Sequence, residues 1–250
     1  QVWIMIDSAE TLKNPRVAIM QPYFLPYLGY FQLIAAADVF VFYDDVHFIK
    51  KGWLRRNRIW SNNQEQLISL PCIGASQNKL INEVEVDVTH PSYCKIKESI
   101  YHAYRKAPEF ENIAPLIEQI FEDRPCTVAE FNVRSICSIL NYIGVSTHCV
   151  LSSEVAPESR GMHRADRLIS ITKKFGSSTY INSLGGKDLY DKTYFKSKDI
   201  ELQFLDPKIP AFEDGIRVGQ KMNLSIIDSL MLHSPLISFD HFNSFQVEPS

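Results

Sequence analysis

The chain has 250 residues, enough to bury one substantial core, and its 45% hydrophobic content excludes a disordered protein. With 26 basic and 29 acidic residues it has no general charge for nucleic-acid binding. Its five scattered cysteines, none in a C-x-x-C pair, fit a reduced, cytoplasmic protein, and no run approaches the ~20 apolar residues that span a bilayer.

"QVWIMI" at the start is short and lacks the basic flank of an export signal. Residues 1–15, ending in "KNP", read as an extension outside the fold. "RVAIM" reads as a buried strand. Leu28, Phe31, Ile34 and Ala35 then recur at helical spacing, and "DVFVFYDD" is a second, β-branched and aromatic strand ending in two carboxylates. Together they predict a Rossmann-like β-α-β start to a mostly parallel sheet.

"EQLISLP" and the alternating "NEVEVDV" predict further strands. From Pro91 to Gly144 the apolar period turns helical through three segments. The third opens with a capping box in "TVAE" and stops at Gly144. Strands then return at "THCVLS", "STYIN" and "IELQF", with helices at "RADRLISITKKF", closed by Gly176, and "NLSIIDSLML". The expected architecture is one α/β domain over residues 16–250 with a helical insertion at about 91–144.

Ligands of parallel α/β sheets bind beyond the carboxyl ends of the strands. Two unusual segments leave from that edge, "QPYFLPYLGY" and "YDDVHF". Gln21 offers a donor and an acceptor, while Tyr23, Tyr27 and Tyr30 offer flat faces with hydroxyl tips, stiffened by Pro22 and Pro26. A core-covering role explains the same aromatics. Asp44, Asp45 and His47 are candidate general bases, or ligands of a divalent metal, although adjacent strand residues face opposite ways, so one Asp at most reaches a site.

"KKGWLRRNR", preceded by Lys50, follows at once. Lys51, Arg56 and Asn57 are candidate contacts to phosphate or an acyl donor, and Trp53 can stack on a base or sugar; a solvated basic face is the alternative. "NSLGGKDLYD" places Asn182, Gly185 and Gly186 where backbone N–H groups can cradle an oxyanion, or simply make a tight turn. Asn223 stands at the N-cap position expected for the last helix. Asp228, among apolar neighbours, needs a partner, and its spacing from Ser225 puts both on one helix face. No nucleophile elbow, Cys–His pair or His/Cys metal cluster stands out, so no metal is assigned.

At three separated places, "MQPYFLPYLGYFQLI", "YDDVHFIKKGWLRRNRI" and "TYINSLGGKDLYD" with "NLSIIDSLM", the chain resembles the WbqC-like family of bacterial polysaccharide and O-antigen gene clusters. Some members are proposed to be glycine transferases. The resemblance therefore implies a transferase joining an activated aminoacyl group, such as glycyl, to the amine of a nucleotide- or lipid-linked amino sugar. No cofactor is assigned; an acyl thioester, presented by a carrier protein, would suit as donor. His47 replaces the family's usual Asn or Gln and Arg55 its frequent Asn, so the resemblance carries no role for His47. A more distant likeness is positional: Tyr27-Leu28-Gly29-Tyr30 occupies the place of the H-x-G-H of nucleotidylyltransferases. That leaves two alternatives open, nucleotidyl transfer or adenylation, and a non-catalytic nucleotide-sugar binding protein.

Overall fold

A computed structural model of the chain describes residues 13–122, 124–207, 223–233 and 245–248. Strands β1 (Arg16–Met20), β2 (Val39–Phe42), β7 (His148–Leu151), β8 (Thr179–Ser183) and β9 (Glu201–Pro207) run parallel, and β10 (Phe245–Glu248) adds an antiparallel edge to β9. The spatial order is β10-β9-β8-β1-β2-β7. The chain runs outward from β1 through β2 to β7, then returns to the other side of β1 for β8 and β9. The reversal of strand order thus falls between β1 and β8, where open α/β sheets leave a crevice for ligands.

Strand residues alternate between two cores, as a period of two requires. Ala18, Phe40, Phe42, Cys149, Ile181 and Leu205 belong to one cluster, and Val17, Ile19, Val39, Val41, Val150, Tyr180, Leu202 and Phe204 to the other. Helix α1 (Leu28–Ala36) covers the first face, together with α2 (Pro91–Tyr104), α3 (Phe110–Glu122), α4 (Val128–Ile143) and α8 (Ile226–Leu232). Helix α6 (Arg164–Lys174) and Phe195 of the short α7 (Lys192–Lys196) cover the second. Burial on both faces explains why β1 and β2 read as continuous apolar runs.

The three helices between residues 91 and 143 form where their period places them. Thr127 accepts from the Glu130 N–H, and Gly144 closes α4 at φ 75°. They share their core with the sheet rather than enclosing a separate one.

Two expectations change. The alternation in "NEVEVDV" yields only the two-residue β6 (Glu85–Val86), which pairs with β5 (Cys72–Ile73), after a single 3-10 turn, Ile81–Glu83. Val84 and Val86 are buried, but their backbone ties to Val128 and Cys126 instead of joining the main sheet. The basic run, assigned no strand from sequence, enters β3 (Arg56–Ser61), which forms a hairpin with β4 (Gln64–Ser69). Asn62 and Asn63 make the two-residue turn, both at positive φ (52° and 60°), the backbone that a tight hairpin demands. Of the expected N-terminal extension, residues 1–12 lie outside the described residues; Asn14 accepts from the backbone N–H and hydroxyl of Ser178.

Candidate functional site

The segment between β1 and α1 divides its aromatics between core and cleft. Phe24 and Leu25 are fully buried, and Phe24 packs on Phe131 at 5.6 Å between ring centroids. Leu25 holds φ at 41°, a left-handed backbone uncommon for a leucine. What fixes that backbone is a set of buried amides and hydroxyls. Asn132 Nδ2 donates to Pro22 O (2.8 Å) and Leu54 O (2.7 Å); Asn57 Nδ2 donates to Phe24 O (3.2 Å) and Leu25 O (2.7 Å). Ser225 Oγ also donates to Leu25 O, and the Ile226 N–H to Pro26 O. Buried carbonyls need such partners, and here they lock the loop from three elements.

On the outer side of this loop Tyr23 and Tyr27 line a cleft of about 890 Å³, a size that suits a small-molecule ligand. Tyr30, buried, donates its hydroxyl to Gln21 O at 2.9 Å and packs on Tyr23 at 5.5 Å. Burial, with Tyr27 alongside, pushes the Tyr23 phenol up to about 12; burial likewise raises Tyr27 and Tyr30. These phenols stay protonated at neutral pH and offer hydrogen bonds, not bases.

Asp44 and Asp45 lie just beyond β2, where both reach Ser152. Asp44 turns away from the cleft. It accepts from Asn82 Nδ2, Ser153 Oγ and the Ser153 N–H, an orphan donor in the first turn of α5 (Ser152–Val155). Asp45 lines the cleft, yet its carboxylate is fully buried and accepts from Arg167 Nη2 (2.7 and 2.8 Å), Arg160 Nε (2.8 Å) and Ser152 Oγ. Burial alone would raise its carboxyl, but the hydrogen bonds from Arg160, Ser152 and Arg167 outweigh that and hold it below the ordinary value. A carboxylate so engaged is a weak base; the geometry makes both aspartates organisers of structure instead. His47 lines the cleft and is exposed, with its backbone bridged to Leu80.

The basic run does not converge on the cleft. Arg55 Nη1 donates to Leu70 O, Arg56 bonds Lys51 O, and Arg58 pairs with Glu65 and lies 5.3 Å over the Trp53 ring. Lys51 and Arg56 do not line the cleft, Arg56 being paired into the hairpin with its guanidinium on Lys51 O; Trp53 and Asn57 do, although the Asn57 amide is committed to the loop carbonyls. The cations that do line it are Arg160, Arg164 and Arg167, from the segment entering α6. Sequence reasoning passed over them. The signal was available in "SRGMHRADR", three arginines around a glycine at a helix entry.

Arg167 is oriented by Asp45 and stacks 4.6 Å over Tyr43, whereas Arg160, among the described residues, donates through Nε alone and its side chain is half exposed. The terminal nitrogens of Arg160 therefore remain for a ligand. Across the cleft Asn182 is the penultimate residue of β8, and its Oδ1 accepts from the Ser183 N–H. Gly186 leaves room for that side chain: a Cβ on it would lie 2.4 Å from Asn182 Nδ2, so Asn182 would have to shift. Gly185 lines the cleft with space to spare. Asn223 also lines it, exposed, but does not cap α8; Ser225 does, accepting from Ile227 N–H. Asp228 lies inside the helical layer and accepts from the Tyr104 hydroxyl at 2.6 Å.

The cleft can thus hold an anion against Arg160 and Arg164, a ring or sugar against tyrosines, and amide hydrogen bonds from Asn182. Burial pushes the thiol of half-buried Cys137 up to about 12 and holds that of buried Cys149 well above its ordinary value, which disfavours the reactive thiolate at both. Among the described residues, no cluster of three or more His, Cys, Asp or Glu side chains could hold a metal, and no helix is long and apolar enough to cross a membrane.

An uncharacterized protein of Mycobacterium tuberculosis, Rv1507c, is 26% identical over 193 residues, which cover 76% of this chain and 82% of that protein. No solved structure matches the chain significantly. The family match is broad and takes in both the tyrosine loop and the glycine pair: residues 21–237 match the model of the WbqC-like protein family, and the chain belongs to that family.

Proposed function

We propose that the chain is a transferase that joins an activated aminoacyl group to the amine of a nucleotide- or lipid-linked amino sugar, in the building of a bacterial surface polysaccharide. The observation that carries it is one juxtaposition. Arg160, anchored by Nε on Asp45, faces a cleft whose other walls are Tyr23, Tyr27 and Asn182. A phosphorylated sugar has both halves of that pattern, an anion for the guanidinium and hydroxyls with a flat face for phenols and amide. Arg160 and Arg164 take the phosphate, Tyr23, Tyr27 and Asn182 the sugar, and the Gly185–Gly186 backbone faces the acyl group.

Amide formation needs a proton taken from the attacking amine and donors for the oxyanion that forms on the acyl carbonyl. With Asp45 engaged by arginines, exposed His47 takes the proton in this chain, a rate gain particular to it, since family members with Asn or Gln at that position would pass the proton to water. The acyl step itself leans on the family, and a carrier-bound thioester remains the donor of choice: the C–N bond forms, the tetrahedral intermediate collapses with cleavage of the C–S bond, and the departing thiolate takes up the proton from His47. Residues 16–250 act in this reading as one cytoplasmic domain with a Rossmann-like start and the 91–144 insertion.

The test is mass spectrometry of purified protein with nucleotide amino sugars and aminoacyl thioesters. A product heavier by one aminoacyl residue is expected, with His47→Asn slower by roughly a hundredfold. An unmodified sugar under every donor sinks the reading.

One observation favours a second reading. The first turn of α1 has no side-chain cap and no acidic residue, and it opens beside the β1–β8 crevice with Gly29 against the Tyr27 ring. Such a helix start suits a phosphate. Nucleotidyl transfer would then release pyrophosphate from ATP, which aminoacyl transfer from a thioester does not.

A further inference from the structure

Three loops around the mouth of the cleft carry large apolar side chains in solvent. Ile49 is 48% exposed and Trp53 39%, both on the loop after β2; Met162, before α6, is 46% exposed, and Leu189, after β8, 58%. All four line the cleft, whereas the other exposed large apolar residues among the described ones, Leu67, Ile73 and Tyr194, do not. Apolar side chains gathered at a site entrance mark a surface that meets something.

Two of the three tips are basic, and the third, around Leu189, is balanced. Exposed Lys50 and Lys51 stand between Ile49 and Trp53, exposed His163 and Arg164 follow Met162, and Lys187 precedes Leu189, with Asp188 the opposing carboxylate. Separate apolar points flanked by cations are how a peripheral protein enters the head-group layer of an anionic bilayer. A fluid surface receives separate tips. An anionic head-group layer also offers its charge to the Lys50–Lys51 and Arg164 tips together.

We propose that this rim seats on an anionic membrane surface, so that the cleft takes its sugar from a lipid-linked phosphate held at that surface. The proposal rests on the reading of the cleft as a phosphate- and sugar-binding site. Its mouth then faces the head groups, with Arg160 and Arg164 placed for the phosphate and the apolar rim against the start of the lipid chain.

The full chain is sedimented with vesicles of phosphatidylcholine alone, or mixed equally with phosphatidylglycerol. Partitioning is expected onto the anionic vesicles only and should weaken with salt. It should fall about tenfold or more in the Lys50→Glu/Lys51→Glu variant, and in the Ile49→Ser/Leu189→Ser variant. Unchanged melting temperatures confirm that the variants fold, and if one pair unfolds the other pair decides. Equal partitioning onto both vesicles, or none, overturns the proposal; so does capture by an acidic acyl carrier protein in place of vesicles. Binding of water-soluble nucleotide sugars by the Lys50→Glu/Lys51→Glu variant should stay at the wild-type level, so loss of docking and loss of the sugar site read out separately.

Discussion

Arg167 Nη2 donates to both carboxylate oxygens of Asp45, at 2.7 and 2.8 Å, from a position 122 residues further along the chain. Both side chains are nearly sealed from solvent, at 6% and 0% exposure. An ion pair at that depth is costly to break from one side, because the remaining carboxylate keeps only half-exposed Arg160 and Ser152 as partners. Arg167→Ala should therefore lower the unfolding free energy by up to about 3–5 kcal/mol, the cost of a buried charge left wholly unpaired, whereas replacing both residues with apolar side chains of similar volume should cost much less. Urea titration of the two single variants and the double variant measures the difference, and additive losses would contradict the coupling.

The same pair sets an acid limit. The carboxyl of Asp45 is held below its ordinary value in the folded state, so the folded protein binds fewer protons than the unfolded chain. Its contribution is complete above the ordinary carboxylate range and is lost as the pH falls toward the lowered folded value. Stability should thus decline below about pH 5. In Asp45→Asn that part of the decline should vanish, although the variant starts from a lower stability. Thermal melts from neutral to acid pH show whether the two curves converge.

Local rules carried much of the fold and little of the site. The α4 cap at Thr127, its stop at Gly144 and the apolar runs of β1 and β2 depend on neighbours in sequence or on burial of both faces, so they could be read directly. Strand β3 was hidden because Asn57 and Ser61 occupy inward positions where apolar residues would have shown the alternation; only the Asn62–Asn63 turn signalled it. The tyrosine loop, Asp45 and the glycine pair were legible as strand ends bearing unusual residues. Whether Asp45 acts as a base was not legible, since that depends on Arg160 and Arg167, brought in from far along the chain.

Asn132 sits in the interior of α4, fully buried, and joins it to two loops through Pro22 O and Leu54 O. Truncation leaves two buried carbonyls without donors, each worth about 1–3 kcal/mol. Asn132→Ala should therefore be destabilising, and hydrogen exchange should rise at Tyr23 and Phe24 before the central strands. Asn132→Asp, isosteric but without the amide donors, should behave similarly. Uniform exchange across the sheet would show that Asn132 supports the global fold and not the loop.

The glycine pair after β8 separates space from backbone freedom. A Cβ on Gly186 would fall 2.4 Å from Asn182 Nδ2 and 2.9 Å from its Cγ, while on Gly185 its nearest contact is Ser183 Oγ at 3.9 Å. Neither glycine has a positive φ, so the cost at Gly186 is steric. Gly186→Ala must push the Asn182 side chain out of place, with a loss of about 1–3 kcal/mol for the overpacked contact. Gly185→Ala should be close to neutral. Since Asn182 lines the cleft, Gly186→Ala should also weaken binding of any sugar ligand that the amide contacts. Combining it with Asn182→Ala should restore most of the stability but not the binding. Melting curves and titration calorimetry on the three variants distinguish these outcomes, and equal effects at Gly185 and Gly186 would show that the close approach to Asn182 is not what demands the glycine.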